Sequence, residues 1–137
     1  MYASELTPAL RRVYDQAFNK RNLDALDGLF AAGVIDRSVA DAEEQVGLER
    51  FKRRVAGHHA GVSDLDMSMF DVVASGHLIA FRWEFTGTHD GTWLGWPATG
   101  KRFTLAGMNM ERIEASHIVE HHSYPDLLGL YRQLGFV

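Results

Sequence analysis

The spacing of the apolar residues changes near residue 64, and that change restricts the folds open to this chain. Before it, Leu6, Leu10, Val13, Tyr14, Ala17 and Phe18 recur at helical spacing, with Arg11, Arg12, Asp15, Gln16 and Asn19 on the other side. After it, Leu65, Met67 and Met69 alternate with Asp66 and Ser68. Ile79, Phe81, Trp83 and Phe85 likewise alternate with Ala80, Arg82, Glu84 and Thr86. A period of two marks strands with one buried face. Helices first and half-buried strands afterwards predict an α+β layer fold, with the helices on one face of a bent antiparallel sheet.

The remaining elements follow from local signals. Asn22, with Asp24 and Asp27 near the positive end of the dipole, suits the start of a second helix. Its stripe is Leu23, Leu26, Leu29 and Phe30, ending near Gly33, and Val34–Ser38 reads as a short strand. Leu48, Phe51 and Val55 mark a third helix, stopped near residues 57–61. Residues 87–100 hold four glycines, two tryptophans and a proline, so they read as a long connection. Residues 102–113 and 117–124 form an antiparallel hairpin about a turn at 114–116, and Asp126 caps a closing helix that Gly135 stops. With no linker or repeat, residues 1–137 are expected to form a single domain.

Composition excludes several function classes. A net charge of −4 argues against a nucleic-acid partner, which needs a basic face. The one basic run, Arg50-Phe51-Lys52-Arg53-Arg54, reads as the solvated face of a helix. The absence of cysteine excludes disulfides and thiolate metal sites. The first residues lack the basic start and apolar run of a signal peptide, and no apolar stretch could cross a membrane. A soluble, cytoplasmic protein is expected.

The motifs of the last third carry a resemblance. Gly-Thr-His-Asp-Gly at 87–91, Gly-Trp-Pro-Ala-Thr-Gly-Lys-Arg at 95–102, Ile118-Val119-Glu120-His121-His122 and the run Asp126–Gly135 occur in the order of the SnoaL-like family of polyketide cyclases. Tyr14–Asn19 and Val34-Ile35-Asp36-Arg37-Ser38 extend it upstream. The chain therefore resembles that family over nearly its whole length. The resemblance implies the cone of the nuclear transport factor 2-like superfamily: three N-terminal helices and a curved sheet around a blind pocket, with a short C-terminal helix. It also implies a cofactor-independent enzyme that closes a ring of a polycarbonyl or aromatic substrate by intramolecular aldol addition.

The same resemblance nominates residues. Asp126 matches the family's catalytic acid/base, although an aspartate at a helix start is equally explained as an N-cap, and both roles can coexist. His121, Arg112 and Tyr14 are the candidates for stabilising an oxyanion or moving a proton. Residues i and i+2 of a strand share a face, so the hairpin offers two sets. One is Thr104, Ala106, Met108, Met110 and Arg112 with His121; the other is Phe103, Leu105, Asn109 and Glu111 with Ile118. Ketosteroid isomerase, which the first half also resembles, puts the Met108, Met110 and His121 set inside. That choice gives a pocket lined by Phe81, Trp83, Phe85, Met108, Met110, Met67 and Asp36, suited to a small hydrophobic or aromatic molecule. The opposite face, with Phe103, Leu105 and Ile118, becomes the expected homodimer surface.

Some departures limit the reading. His122 replaces a tryptophan usual after Glu-His, Arg37 a usual histidine, and Ser38 stands where the isomerase has its catalytic carboxylate. The Arg-x-Asp pair of epoxide hydrolases of this fold is absent. His117 and His121 are about 13 Å apart along a strand, too far to share an ion, and the sequence has no His-Glu-x-x-His motif and no phosphate-binding glycine loop, so neither metal nor nucleotide cofactor is expected. The rival reading is a non-catalytic domain that binds a hydrophobic metabolite in the same pocket, since fold alone does not fix function.

Overall fold

A computed structural model describes residues 2–38 and 45–137. The N-terminal helical run has three parts: a 3₁₀ turn at Ala3–Leu6, helix α1 at Thr7–Tyr14, and a widened π turn at Asp15–Asn19. It buries Leu10, Tyr14 and Phe18 as its apolar stripe requires. The expected second helix is a single 3₁₀ segment, Leu23–Gly28, and strand β1 begins as early as Phe30, running to Asp36. Pairing decides this: Leu29 C=O accepts from Ile118 N–H, and Phe30 lies beside Ile118 on a parallel strand. A short strand β2 at Gln45–Val46 had no signal in the sequence. Helix α2 spans Leu48–Gly61.

Four strands follow: β3 Asp66–Ser75, β4 Leu78–Thr88, β5 Arg102–Glu114 and β6 His117–Pro125. Together they make one six-stranded sheet in the order β2-β1-β6-β5-β4-β3, antiparallel throughout except for β1 beside β6. The sheet is curved and open, with the N-terminal helices on its concave side. Helix α3, Leu127–Leu134, starts at Asp126, whose carboxylate accepts from Gly129 N–H at 2.9 Å, and stops at Gly135 in the left-handed conformation. Among the described residues no helix is long and apolar enough to cross a membrane.

The β5–β6 hairpin corrects the expected facing. Its turn is two residues, Ala115 and Ser116, both at positive φ. Ile113 pairs with Ile118, but Arg112 pairs with Glu120, so Val119 is an extra residue with no opposite number. Beyond that bulge Glu111 faces His121 and Asn109 faces Ser123. The inward set is therefore Phe103, Leu105, Asn109, Glu111 and Ile113, all buried, together with His121. Met108 and Met110 project outward and are 52% and 40% exposed. Phe103, Leu105 and Ile118 belong to the core and offer no surface for a dimer.

Candidate active site

The concave face of the sheet, α1 with its π turn, and α2 line a cavity of about 70 Å³. Phe81, Trp83 and Phe85 of β4 are buried on this face, as their period-two spacing predicts; Trp83 and Phe85 reach the cavity wall. Met67 of β3 lines it too, fixed by Asn19: the amide accepts from Met67 N–H at 2.7 Å and donates to Met67 C=O at 2.9 Å. The polar groups reaching this mostly apolar wall are few. They come from Tyr14, Arg54, His58, Asn109, His121 and two serines.

Tyr14, Glu111 and His121 form a buried unit. Tyr14 O–H donates to Glu111 Oε1 at 3.0 Å, and His121 Nδ1 lies 2.7 Å from the same oxygen. A carboxylate only accepts, so Nδ1 carries the proton and Nε2 is the basic nitrogen of a neutral His121. Burial opposes the charged form of His121, but the charge and hydrogen bond of Glu111, with the charge of Asp36, together outweigh it, and the imidazole is held above its ordinary pKa. Burial and the same carboxylate push the Tyr14 hydroxyl well above its ordinary value, so it stays protonated. Its single proton is directed at Glu111, which leaves it an orienting group. Glu111 is fully buried, and its Oε2 has no hydrogen-bond partner among the described residues.

A second unit joins the central strands. Trp83 Nε1–H donates to Asn109 Oδ1 at 2.7 Å, and the indole lies over Gly107, where an added Cβ would come within 2.2 Å of it. Arg54 Nε donates to Asp36 Oδ2 at 2.7 Å, while Ser38 Oγ–H donates to the other oxygen at 2.8 Å. Asp36 thus stands behind the cavity wall and orients Arg54, which lines it. The basic run at 50–54 is not wholly a solvated face.

His58, from the last turn of α2, also lines the cavity. Trp93 Nε1–H donates to its Nδ1 at 3.0 Å. Burial, helped by the Arg54 charge and by His59 when that ring is protonated, and partly offset by Asp36, lowers its pKa to about 4. It is neutral at neutral pH.

The nominated residues divide accordingly. Tyr14 and His121 come together in the cavity. Arg112 does not: it lies on the outer face, 46% exposed, with Nε 3.3 Å from Glu120. Met108 and Met110 leave the pocket with it, for the register reason given above. Asp126 is exposed at the cavity edge between Pro125 and Leu127, which both line it, and its carboxylate caps α3. Glu111, Asn109, His58 and Trp93 were not among the nominated residues. For Glu111 and Asn109 the signal was present, since polar residues interrupt an otherwise apolar strand face; His58 and Trp93 are joined only by the fold. Among the described residues no group of three metal-ligating side chains gathers.

The profile of the family described as SnoaL-like polyketide cyclase matches residues 9–134. Over 49 residues the chain is 47% identical to aklanonic acid methyl ester cyclase DnrD of Streptomyces peucetius, a match spanning 36% of this chain and 34% of that protein. TsrD from Streptomyces laurentii is 27% identical in sequence, with a TM-score of 0.84 over 96% of this chain and 98% of that one. Wild-type IdmH from Streptomyces antibioticus is 30% identical, with a TM-score of 0.79 over 94% of this chain and 97% of that one. A SnoaL-like structure from Jannaschia sp. CCS1 has a TM-score of 0.87 at 17% identity, covering 96% of this chain and 92% of that one, and shares the fold. The family match runs through every element that builds the cavity, from α1 to α3: this chain belongs to the SnoaL-like polyketide cyclase family.

Proposed function

We propose that the protein is a cofactor-independent acid/base catalyst that closes a ring in a polycarbonyl substrate by intramolecular aldol addition. The observation that carries this reading is the buried Tyr14–Glu111–His121 unit, whose Tyr14 and His121 line a mostly apolar cavity. In this reading His121 Nε2 takes a proton from a carbon flanked by carbonyls. The enolate carbon then adds to a ketone of the same molecule: a carbon–carbon bond forms, the carbonyl π bond opens to an alkoxide, and the alkoxide takes the proton from the imidazolium. Glu111 stabilises that imidazolium, and Tyr14 holds Glu111. Asp126, at the cavity edge, serves as the second proton-transfer group, acting on the part of the substrate nearest the rim. The apolar walls suit an aromatic substrate, and the name of the Streptomyces peucetius relative supplies one to try.

The test is incubation with aklanonic acid methyl ester in deuterated water, following ring closure and deuterium uptake at the activated carbon. The parent should promote both, and His121→Phe should lose at least about a hundredfold, the scale of a general acid/base contribution. Equal rates in parent and variant would leave the binding-domain reading, which the capping role of the exposed Asp126 carboxylate favours. We further infer that the chain pairs through its outer sheet face, where Met108, Met110 and Tyr124 lie exposed.

A further inference from the structure

We propose that His58 is a second substrate-binding group of the cavity, donating its Nε2–H to a carbonyl oxygen of the ligand. The inference rests on the reading that the cavity takes a carbonyl-bearing aromatic molecule, and it names the residue that recognises the carbonyl.

The tautomer follows from the partner. An indole nitrogen donates and cannot accept, so the bond from Trp93 requires a lone pair on His58 Nδ1. The ring proton of neutral His58 is therefore on Nε2, the nitrogen left to meet a ligand. Trp93 is itself fixed: it is buried, and its backbone N–H and C=O pair with those of Trp96 at 2.9 and 2.8 Å. The imidazole is set nearly edge-on, 5.4 Å from the Phe85 ring and 6.0 Å from the Trp93 ring, so its orientation is packed as well as bonded.

The charge state follows from the surroundings. Arg54 and His59 on the same helix oppose a proton on His58, Asp36 of β1 partly offsets them, and the Phe85 and Trp93 rings pack against the imidazole. A neutral donor with a fixed tautomer can meet a developing enolate oxygen without rearranging and without competing for the proton that His121 carries. One cavity thus holds two histidines whose environments push their proton affinities in opposite directions, the arrangement that separates a proton-transfer group from a polarising one.

The test measures binding, so it does not depend on turnover. The probes are 1-tetralone and its carbonyl-free counterpart tetralin, titrated into the full chain labelled with nitrogen-15 at histidine. His58 should show a neutral imidazole protonated at Nε2 from pH 5.5 to 8, and that resonance should move with tetralone and not with tetralin. His58→Phe should weaken tetralone binding about fivefold, the worth of one net hydrogen bond, and leave tetralin unchanged. His58→Gln, which keeps a donor, should retain the preference. A proton on Nδ1, equal loss of both probes in His58→Phe, or a parent that does not prefer tetralone would each overturn the proposal. Absence of deuterium exchange with the carbonyl preference intact would instead sink the catalytic reading and spare this one.

Discussion

Glu111 and His121 stand opposite each other on β5 and β6, and their side chains meet at 2.7 Å on the buried face of the sheet. Removing the charge while keeping an acceptor, in Glu111→Gln, should lower the pKa of His121, read by a histidine NMR titration. The stability consequence has a definite sign. His121 is raised in the folded state, so its contribution is full below the ordinary imidazole value of 6.5 and is lost as pH rises through the higher folded value. That loss should be absent in Glu111→Gln. The acid limb of the catalytic pH profile should move to lower pH with a lower plateau, because a weaker base is freed earlier.

His58 behaves in the opposite sense. Its pKa falls from 6.5 to about 4 on folding, so its contribution is present above 6.5 and is lost as pH falls towards 4. Urea unfolding of the parent and of His58→Gln at pH 7 and pH 4.5 should show a larger acid loss in the parent. An equal loss in both would mean that His58 is not held neutral.

Asp126 allows its cap to be separated from any chemistry. Asparagine accepts from Gly129 N–H almost as well as aspartate, so Asp126→Asn should melt close to the parent, while Asp126→Ala should lose about 1 kcal/mol. If Asp126 shares the proton transfer, the asparagine variant should also lose about a hundredfold in turnover. Retention of full turnover would make it a cap alone.

Gly107→Ala tests the second unit. The new methyl would strike the Trp83 ring, which is held by Asn109, so either the ring shifts and the bond breaks or the strands part. A cost of about 1–3 kcal/mol is expected by chemical unfolding, with altered tryptophan fluorescence. Asn109→Leu should not reproduce the steric part of this change.

For assembly, the joint variant Met108→Asp, Met110→Asp should convert a dimer to a monomer in light scattering without changing the fold. A parent that is already monomeric at micromolar concentration would refute pairing through the outer face.

Most of the element order and the buried side of β4 were legible because strand alternation and helical spacing report burial directly. Phe81, Trp83 and Phe85 needed nothing else. The hairpin was misread because one inserted residue, Val119, reverses the relation between its strands, and a bulge leaves no mark in composition. His121 stayed inside while Met108, Met110 and Arg112 changed sides for that single reason. The helical reading of Leu29 and Phe30 failed where pairing with β6 overrode local preference. His58 was passed over because its partner is 35 positions away, on a connection whose path is fixed only by the finished fold.

Asn19 has a consequence beyond steadying Met67. Strand β3 lies at the border of the sheet, and its outward peptide groups could template a strand from another molecule. The Asn19 amide occupies the N–H and C=O of Met67 as a neighbouring strand would. Farther along, an irregularity between Phe70 and Val73, with Asp71 at φ 50°, bends the border out of register. At Met67 and at the irregularity the border offers no continuous ladder to an incoming strand, and at the first of these a side chain from the first helical run takes the place of that strand.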